Sequence, residues 1–147
     1  MENQAPQNQP NDMQADSQPI ENNAAEVRKI LVIEDEPFIG ELYTRSLKKA
    51  GYDVTVVVDG LEGLRKAQSN AYDIILLDIM VPSMTATELL KKMRAPGATP
   101  IKAKIIVTTN LEQNEAAREE VEKQADGYLI KANITPKELV AFLQTLR

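Results

Sequence analysis

Cysteine is absent from the 147 residues, which excludes disulfides, Cys-ligated zinc, iron–sulfur clusters and thiol nucleophiles. Histidine is absent as well. Ser-His-Asp catalysis, His-ligated metals and a phosphohistidine-carrying role are excluded with it. What chemistry remains must use carboxylates, Lys, Arg, Ser, Thr or Tyr. No apolar run approaches the ~20 residues that span a bilayer, and the opening Met1-Glu2-Asn3 is polar and acidic, unlike a secretory signal. A basic excess is missing too: 17 Lys and Arg stand against 22 Asp and Glu, a net charge of −5. Neither nucleic acid nor membrane is therefore expected as a direct partner, and a soluble cytoplasmic protein is the expectation.

The acidic excess sits at one end. Residues 1–26 carry Glu2, Asp12, Asp16, Glu21 and Glu26 with no Lys or Arg, so residues 27–147 balance to zero. The same stretch is rich in Gln, Asn and Pro, and its one large aliphatic is Ile20. It has too little apolar surface to offset the entropy of ordering, so residues 1–26 are expected to be a disordered leader and 27–147 a single folded domain.

From Val27 the pattern changes. Arg28 to Ile33 reads as a buried strand. Glu36-Pro37 then opens a helix whose apolar positions Phe38, Ile39, Leu42, Tyr43, Leu47 and Ala50 recur at helical spacing, and Gly51 stops it. Tyr52 to Val58 is a second strand, Asp73 to Leu77 a third, Lys104 to Thr109 a fourth and Asp126 to Ile130 a fifth. Asp59 with Glu62, Thr85 with Glu88 and Thr135 with Glu138 have the spacing of capping boxes, and Asn110 with Gln113 caps a fourth helix. Pro96-Gly97 ends the third helix, and the apolar face of the fourth is thin: Ala116, Ala117 and Val121. Five strands alternate with five helices. Strands so uniformly apolar are expected to be buried on both faces, which makes the domain an α/β doubly wound five-stranded parallel sheet, (βα)5. The flavodoxin-like order 2-1-3-4-5 and a Rossmann-type half are the two common arrangements.

In open α/β sheets the site lies beyond the carboxyl ends of the strands. Glu34 and Asp35 follow strand one, Asp78 strand three, Thr109 and Asn110 strand four, and Lys131 strand five. Singly, each has a plainer reading: Asp78 starting a turn, Glu34-Asp35 facing a helix N-terminus, Lys131 in a wet loop, Thr109 as a β-branched strand residue. Together, three carboxylates on one rim would repel without a cation. Mg²⁺ fits, being held by one or two carboxylates plus a phosphate. Lys131 and the Thr109 hydroxyl suit the remaining phosphate oxygens, which suggests phosphoryl transfer to a carboxylate.

Four segments in order carry a resemblance: Ile30 to Glu36, Asp78-Ile79-Met80-Val81-Pro82, Val107-Thr108-Thr109-Asn110 and Asp126 to Lys131. The chain resembles the receiver domain of two-component response regulators, of the stand-alone type, over residues 28–147. The resemblance implies that Asp78 accepts the phosphoryl group and that Asp35, Glu34, Asp78 and the Met80 backbone carbonyl hold Mg²⁺. It also implies that Thr109 donates its hydroxyl to the phosphoryl group, that Lys131 pairs with it, and that Tyr128 is the switch aromatic. Thr109 is preferred to Thr108 because it lies 22 residues before Lys131. The implied protein is a phosphoacceptor signalling protein rather than an enzyme. Its implied donor is a sensor histidine kinase or a His-phosphotransfer protein. A downstream protein, or a second copy on phosphorylation, is expected on the face of helix four, strand five and helix five. A phosphorylation-independent interaction module is the alternative. The chain departs from the family in its Glu-Asp pair, in missing glycines near Ser83 and Ala86, and in Ala132 where proline usually follows the lysine.

Overall fold

The computed structural model describes residues 27–110 and 115–146. The expected leader, and the Gln113 half of the cap expected for the fourth helix, lie outside them. The main sheet contains β1 (Lys29–Ile33), β2 (Asp53–Val57), β3 (Ile74–Asp78), β6 (Lys104–Thr109) and β7 (Gly127–Ile130). All pairings are parallel and the order is β2-β1-β3-β6-β7. Two short strands not expected from the sequence, β4 (Met80–Val81) and β5 (Met84–Thr85), form an antiparallel hairpin beside this sheet. Leaving that hairpin uncounted, the order is the flavodoxin-like 2-1-3-4-5.

Side-chain alternation divides the core in two. Leu31, Ile33, Ile75, Leu77, Ile105 and Val107 pack on one face against Ala67 of α2 (Gly60–Gln68), Leu89, Leu90 and Met93 of α3 (Ala86–Met93) and Val121 of α4 (Glu115–Glu122). Ile30, Val32, Ile74, Leu76 and Ile106 pack on the other against Tyr43 and Leu47 of α1 (Pro37–Lys49) and Leu139 and Leu143 of α5 (Pro136–Gln144). The three inner strands are buried on both faces, which explains their unbroken apolar runs. The expectation fails for the two edge strands: β2 leaves Val56 exposed, and every residue of β7 is only partly buried.

The helix signals resolve as follows. Thr85 and Thr135 each form a complete capping box, with Glu88 and Glu138 respectively, and Pro136 fills the first turn of α5. Asp59 accepts from the amides of Leu61 and Glu62. Gly51 ends α1 at φ +99. Phe38, expected on the buried stripe of α1, is instead 74% exposed, in a helix start where Glu36 and Pro37 are exposed too. In α4, Val121 is buried while Ala116 is exposed.

Where the sequence has Ser83 in place of a glycine, the backbone still adopts φ +72, a left-handed conformation that L residues rarely take. The Ser83 hydroxyl accepts from the Leu61 amide at 3.2 Å. Its bond to the Asp59 carboxylate, reinforced by the Glu62 and Leu61 amides, holds that carboxyl below its ordinary value. The Gly60 amide donates to the Pro82 carbonyl at 3.0 Å. These bonds fasten the hairpin after Asp78 to the start of α2.

Candidate functional site

Three strand ends build the site. The chain leaves β1 into Glu34, Asp35 and Glu36; β3 ends on Asp78; and β7 passes into a short 3₁₀ turn, Lys131–Asn133. Because β3 lies directly beside β1, Asp78 is brought next to Glu34. Glu34, Asp78 and Lys131 are buried at 2%, 6% and 9% exposure. The Lys131 ammonium donates to Glu34 Oε1 at 2.5 Å and to Asp78 Oδ2 at 3.2 Å. Backbone amides hold the outer oxygens: Glu36 N donates to Glu34 Oε2 at 3.3 Å, and Met80 N to Asp78 Oδ1 at 3.2 Å.

Burial works against charge here. Glu34 is pushed up to about 7, first by desolvation and then by the adjacent Asp78, with Lys131 pulling the other way. For Lys131, desolvation alone would lower the ammonium, but its bonds to Glu34 and Asp78 outweigh that and hold it above its ordinary value. Tyr43, buried beneath the site on α1, has its phenol raised chiefly by desolvation. Two buried carboxylates therefore share one ammonium, and the site is short of positive charge.

One carboxylate oxygen each from Glu34, Asp35 and Asp78 lies within 4.8 Å of the others. This all-oxygen donor set, with Asp35 partly exposed at the mouth, fits a hard cation of the Mg²⁺ type. Met80 is 74% exposed beside it. Thr108 and Thr109 are both buried at the end of β6. The strand period places Thr109 on the face of Ile105 and Val107, where Tyr128 also packs, and Thr108 on the opposite face.

Tyr128 is half-buried, and its buried hydroxyl has no hydrogen-bond partner among the described residues. The Arg118 guanidinium of α4 lies 4.7 Å over its ring and pairs with Glu122 at 2.5 Å. A cleft of about 310 Å³ opens here between β7 and α5, lined by Tyr128, Leu129, Ile134 and Glu138 among others. The departure from the family at Ala132 falls within the 3₁₀ turn Lys131–Asn133, which no sequence pattern predicts. In the sequence Glu36 marks a helix start and closes the acidic end of the Ile30 to Glu36 segment, with no site role attached. It reaches Lys131 at 3.6 Å and accepts from Asn110 Nδ2 at 3.4 Å. The one signal for it was a third consecutive acid after β1.

A family model for the response regulator receiver domain matches residues 30–144. Response regulator ArlR of Staphylococcus saprophyticus is 37% identical over 103 residues, covering 70% of this chain and 45% of that protein. DNA-binding response regulator MtrA of Mycolicibacterium smegmatis is 32% identical over 114 residues, covering 78% and 48%. The chain thus spans about half the length of these curated relatives. The expectation of no direct nucleic-acid contact finds no support among them. Chemotaxis protein CheY4 of Vibrio cholerae superimposes with a TM-score of 0.70 at 30% identity, covering 82% of this chain and 99% of that one. The receiver domain of sensor histidine kinase PA1611 from Pseudomonas aeruginosa, solved with a magnesium ion in its active-site cleft, gives 0.69 at 29% identity over 81% and 96%. Among the described residues, no helix is long and apolar enough to cross a membrane.

Proposed function

Since this chain belongs to the response regulator receiver domain family, we propose that it accepts a phosphoryl group on Asp78 and signals by changing the surface around Tyr128. The observation that carries this reading is the meeting of Glu34, Asp35 and Asp78 at the strand ends with Lys131 donating to two of them. Glu34, Asp35, Asp78 and the Met80 carbonyl would hold Mg²⁺. When bound, that ion supplies the positive charge the site lacks and offsets the charge on the transferring phosphoryl group.

The donor is a phosphohistidine on a sensor histidine kinase or His-phosphotransfer protein. An Asp78 carboxylate oxygen attacks phosphorus, the P–N bond breaks with its electron pair returning to the imidazole, and the product is a mixed anhydride on Asp78. The Met80 amide fixes Asp78 through its other oxygen, which presents the reacting one. Lys131 exchanges carboxylate partners for phosphoryl oxygens, and the Thr109 hydroxyl donates to another. Movement of Thr109 then draws Tyr128, whose hydroxyl has no partner among the described residues, further inward. The face of α4, β7 and α5 thereby gains or loses affinity for a downstream protein or a second copy.

Intact-mass spectrometry after incubation with acetyl phosphate, with and without Mg²⁺, tests this. One added phosphoryl group that requires both Mg²⁺ and Asp78, and is absent in Asp78→Asn, is expected. A folded protein that neither binds Mg²⁺ nor gains mass would leave a phosphorylation-independent interaction module in its place.

A further inference from the structure

We infer that Glu36 is a specificity-determining residue of this site, an electrostatic screen that holds back small, highly charged phosphodonors. The inference rests on the phosphoacceptor reading of Asp78. Its starting point is that Glu36 occupies the N-cap position of α1 yet makes no side-chain cap hydrogen bond. Glutamate is not a preferred N-cap residue, and Pro37 at the first helical position already favours the helix start. The carboxylate is instead turned over the site: Glu36 Oε1 lies 3.6 Å from Lys131 Nζ and accepts from Asn110 Nδ2 at 3.4 Å.

Lys131 does not need it. Glu34 and Asp78 already hold the ammonium at 2.5 and 3.2 Å, and both are buried, whereas the Glu36 side chain is half exposed. What Glu36 adds is a negative charge at the mouth, beside Lys131, a group that a phosphoryl oxygen has to reach. Asn110, the residue after Thr109, keeps that charge in place. A dianionic acyl phosphate must pass it before reaching Asp78. A phosphohistidine presented by a docked protein has contact surface elsewhere to offset the same repulsion.

For an acyl phosphate, the Asp78 oxygen–phosphorus bond forms while the bond from phosphorus to the bridging oxygen breaks. The electron pair leaves with the carboxylate. Glu36 takes no part in that exchange, so its influence falls on donor encounter rather than on the chemical step.

The test follows initial rates of Asp78 labelling by intact mass in the full chain at saturating Mg²⁺. It compares the wild type with Glu36→Gln, Glu36→Asp and Glu36→Lys, using acetyl phosphate and the less charged phosphoramidate at low and high salt. Glu36→Gln is expected to raise the apparent second-order rate with acetyl phosphate about three- to tenfold at low salt, the effect of one charge on a dianion several ångströms away in a wet site. The gain should come through half-saturation rather than maximal rate, shrink with phosphoramidate, and contract at high salt. Glu36→Lys should exceed it and Glu36→Asp should stay near wild type. Equal rates for wild type and Glu36→Gln, or a gain that Glu36→Asp shares and salt does not alter, would overturn the screen while leaving Asp78 as acceptor. Wild type, Glu36→Gln and Glu36→Lys all unlabelled by either donor would overturn the acceptor reading and the screen with it, whereas labelling of the two variants alone would support both.

Discussion

Lys131 and Glu34 are 97 residues apart in sequence, and their side chains meet at 2.5 Å with almost no access to water. A buried pair of this kind contributes little net stability while it is intact, but removing one partner strands the other. Lys131→Met should therefore lower the stability of the Mg²⁺-free protein by roughly 3 kcal/mol at pH 8, where Glu34 and Asp78 lose their common ammonium. Added Mg²⁺ should recover more of that loss than it adds to the wild type. Urea unfolding with EDTA and with Mg²⁺ measures both; an unchanged midpoint in EDTA would refute the expectation.

Glu34 gives the protein a pH signature. Its folded value of about 7 exceeds the ordinary 4.5, so between those values the folded state binds a proton that the unfolded chain releases. The contribution is fully present below pH 4.5 and is lost as pH rises through 7, at up to ~1.4 kcal/mol per pH unit. In EDTA the wild type should lose stability over that window and level off above it, whereas Glu34→Gln should remove this part of the slope. Thermal unfolding across pH 5 to 9 decides it, and parallel curves for the two proteins would count against it.

Thr135 closes both halves of its capping box with Glu138. Thr135→Ala should cost about 1 kcal/mol, read as a shift in urea midpoint at constant slope. Phosphoryl acceptance should be retained, since the lost bonds lie at the exposed start of α5.

Gly63 is packed too closely for a side chain. A Cβ there would lie 2.7, 3.0 and 3.1 Å from three carbons of the fully buried Ile33. Gly63→Ala should destabilise by about 1–3 kcal/mol despite the higher helix propensity of alanine. Pairing it with Ile33→Val should recover part of the loss, and a stabilised single variant would contradict the geometry.

Ser83 supplies a contrast between two small residues. Ser83→Ala keeps the strained φ of +72 and gives up the hydroxyl's bonds to Leu61 and Asp59, whereas Ser83→Gly gives up the bonds but relieves the backbone. The glycine variant should be the more stable by about 1 kcal/mol. Equal midpoints would show that the left-handed turn carries no strain.

What was legible in the sequence divides along physical lines. Ile30 to Ile33, Ile74 to Leu77 and Lys104 to Thr109 announce inner strands because burial on both faces demands unbroken apolar runs. Asp78 and Lys131 could be placed on one rim because strand ends in a parallel sheet converge. Thr85 and Thr135 were readable because capping is a local, four-residue affair. The Met80–Thr85 hairpin was not, since two-residue strands are too short for any period to show. The exposure of Phe38 depends on which part of α1 the rest of the domain covers, and the path of the Glu36 side chain on two partners, Lys131 and Asn110, that lie far along the chain. Neither is encoded in a local pattern. Arg118 over Tyr128 was missed for the same reason.

The carboxylates that would hold the cation come from two separate strand ends, and the ammonium between them from a third. No short peptide cut from this chain contains the whole set, so the ion should have little affinity for the unfolded polypeptide. By mass action, free Mg²⁺ at a hundred times its dissociation constant would then deepen the native well by about 2.7 kcal/mol. A cell starved of the metal would lose folded receiver as well as phosphorylated receiver, so abundance and signal would fall together.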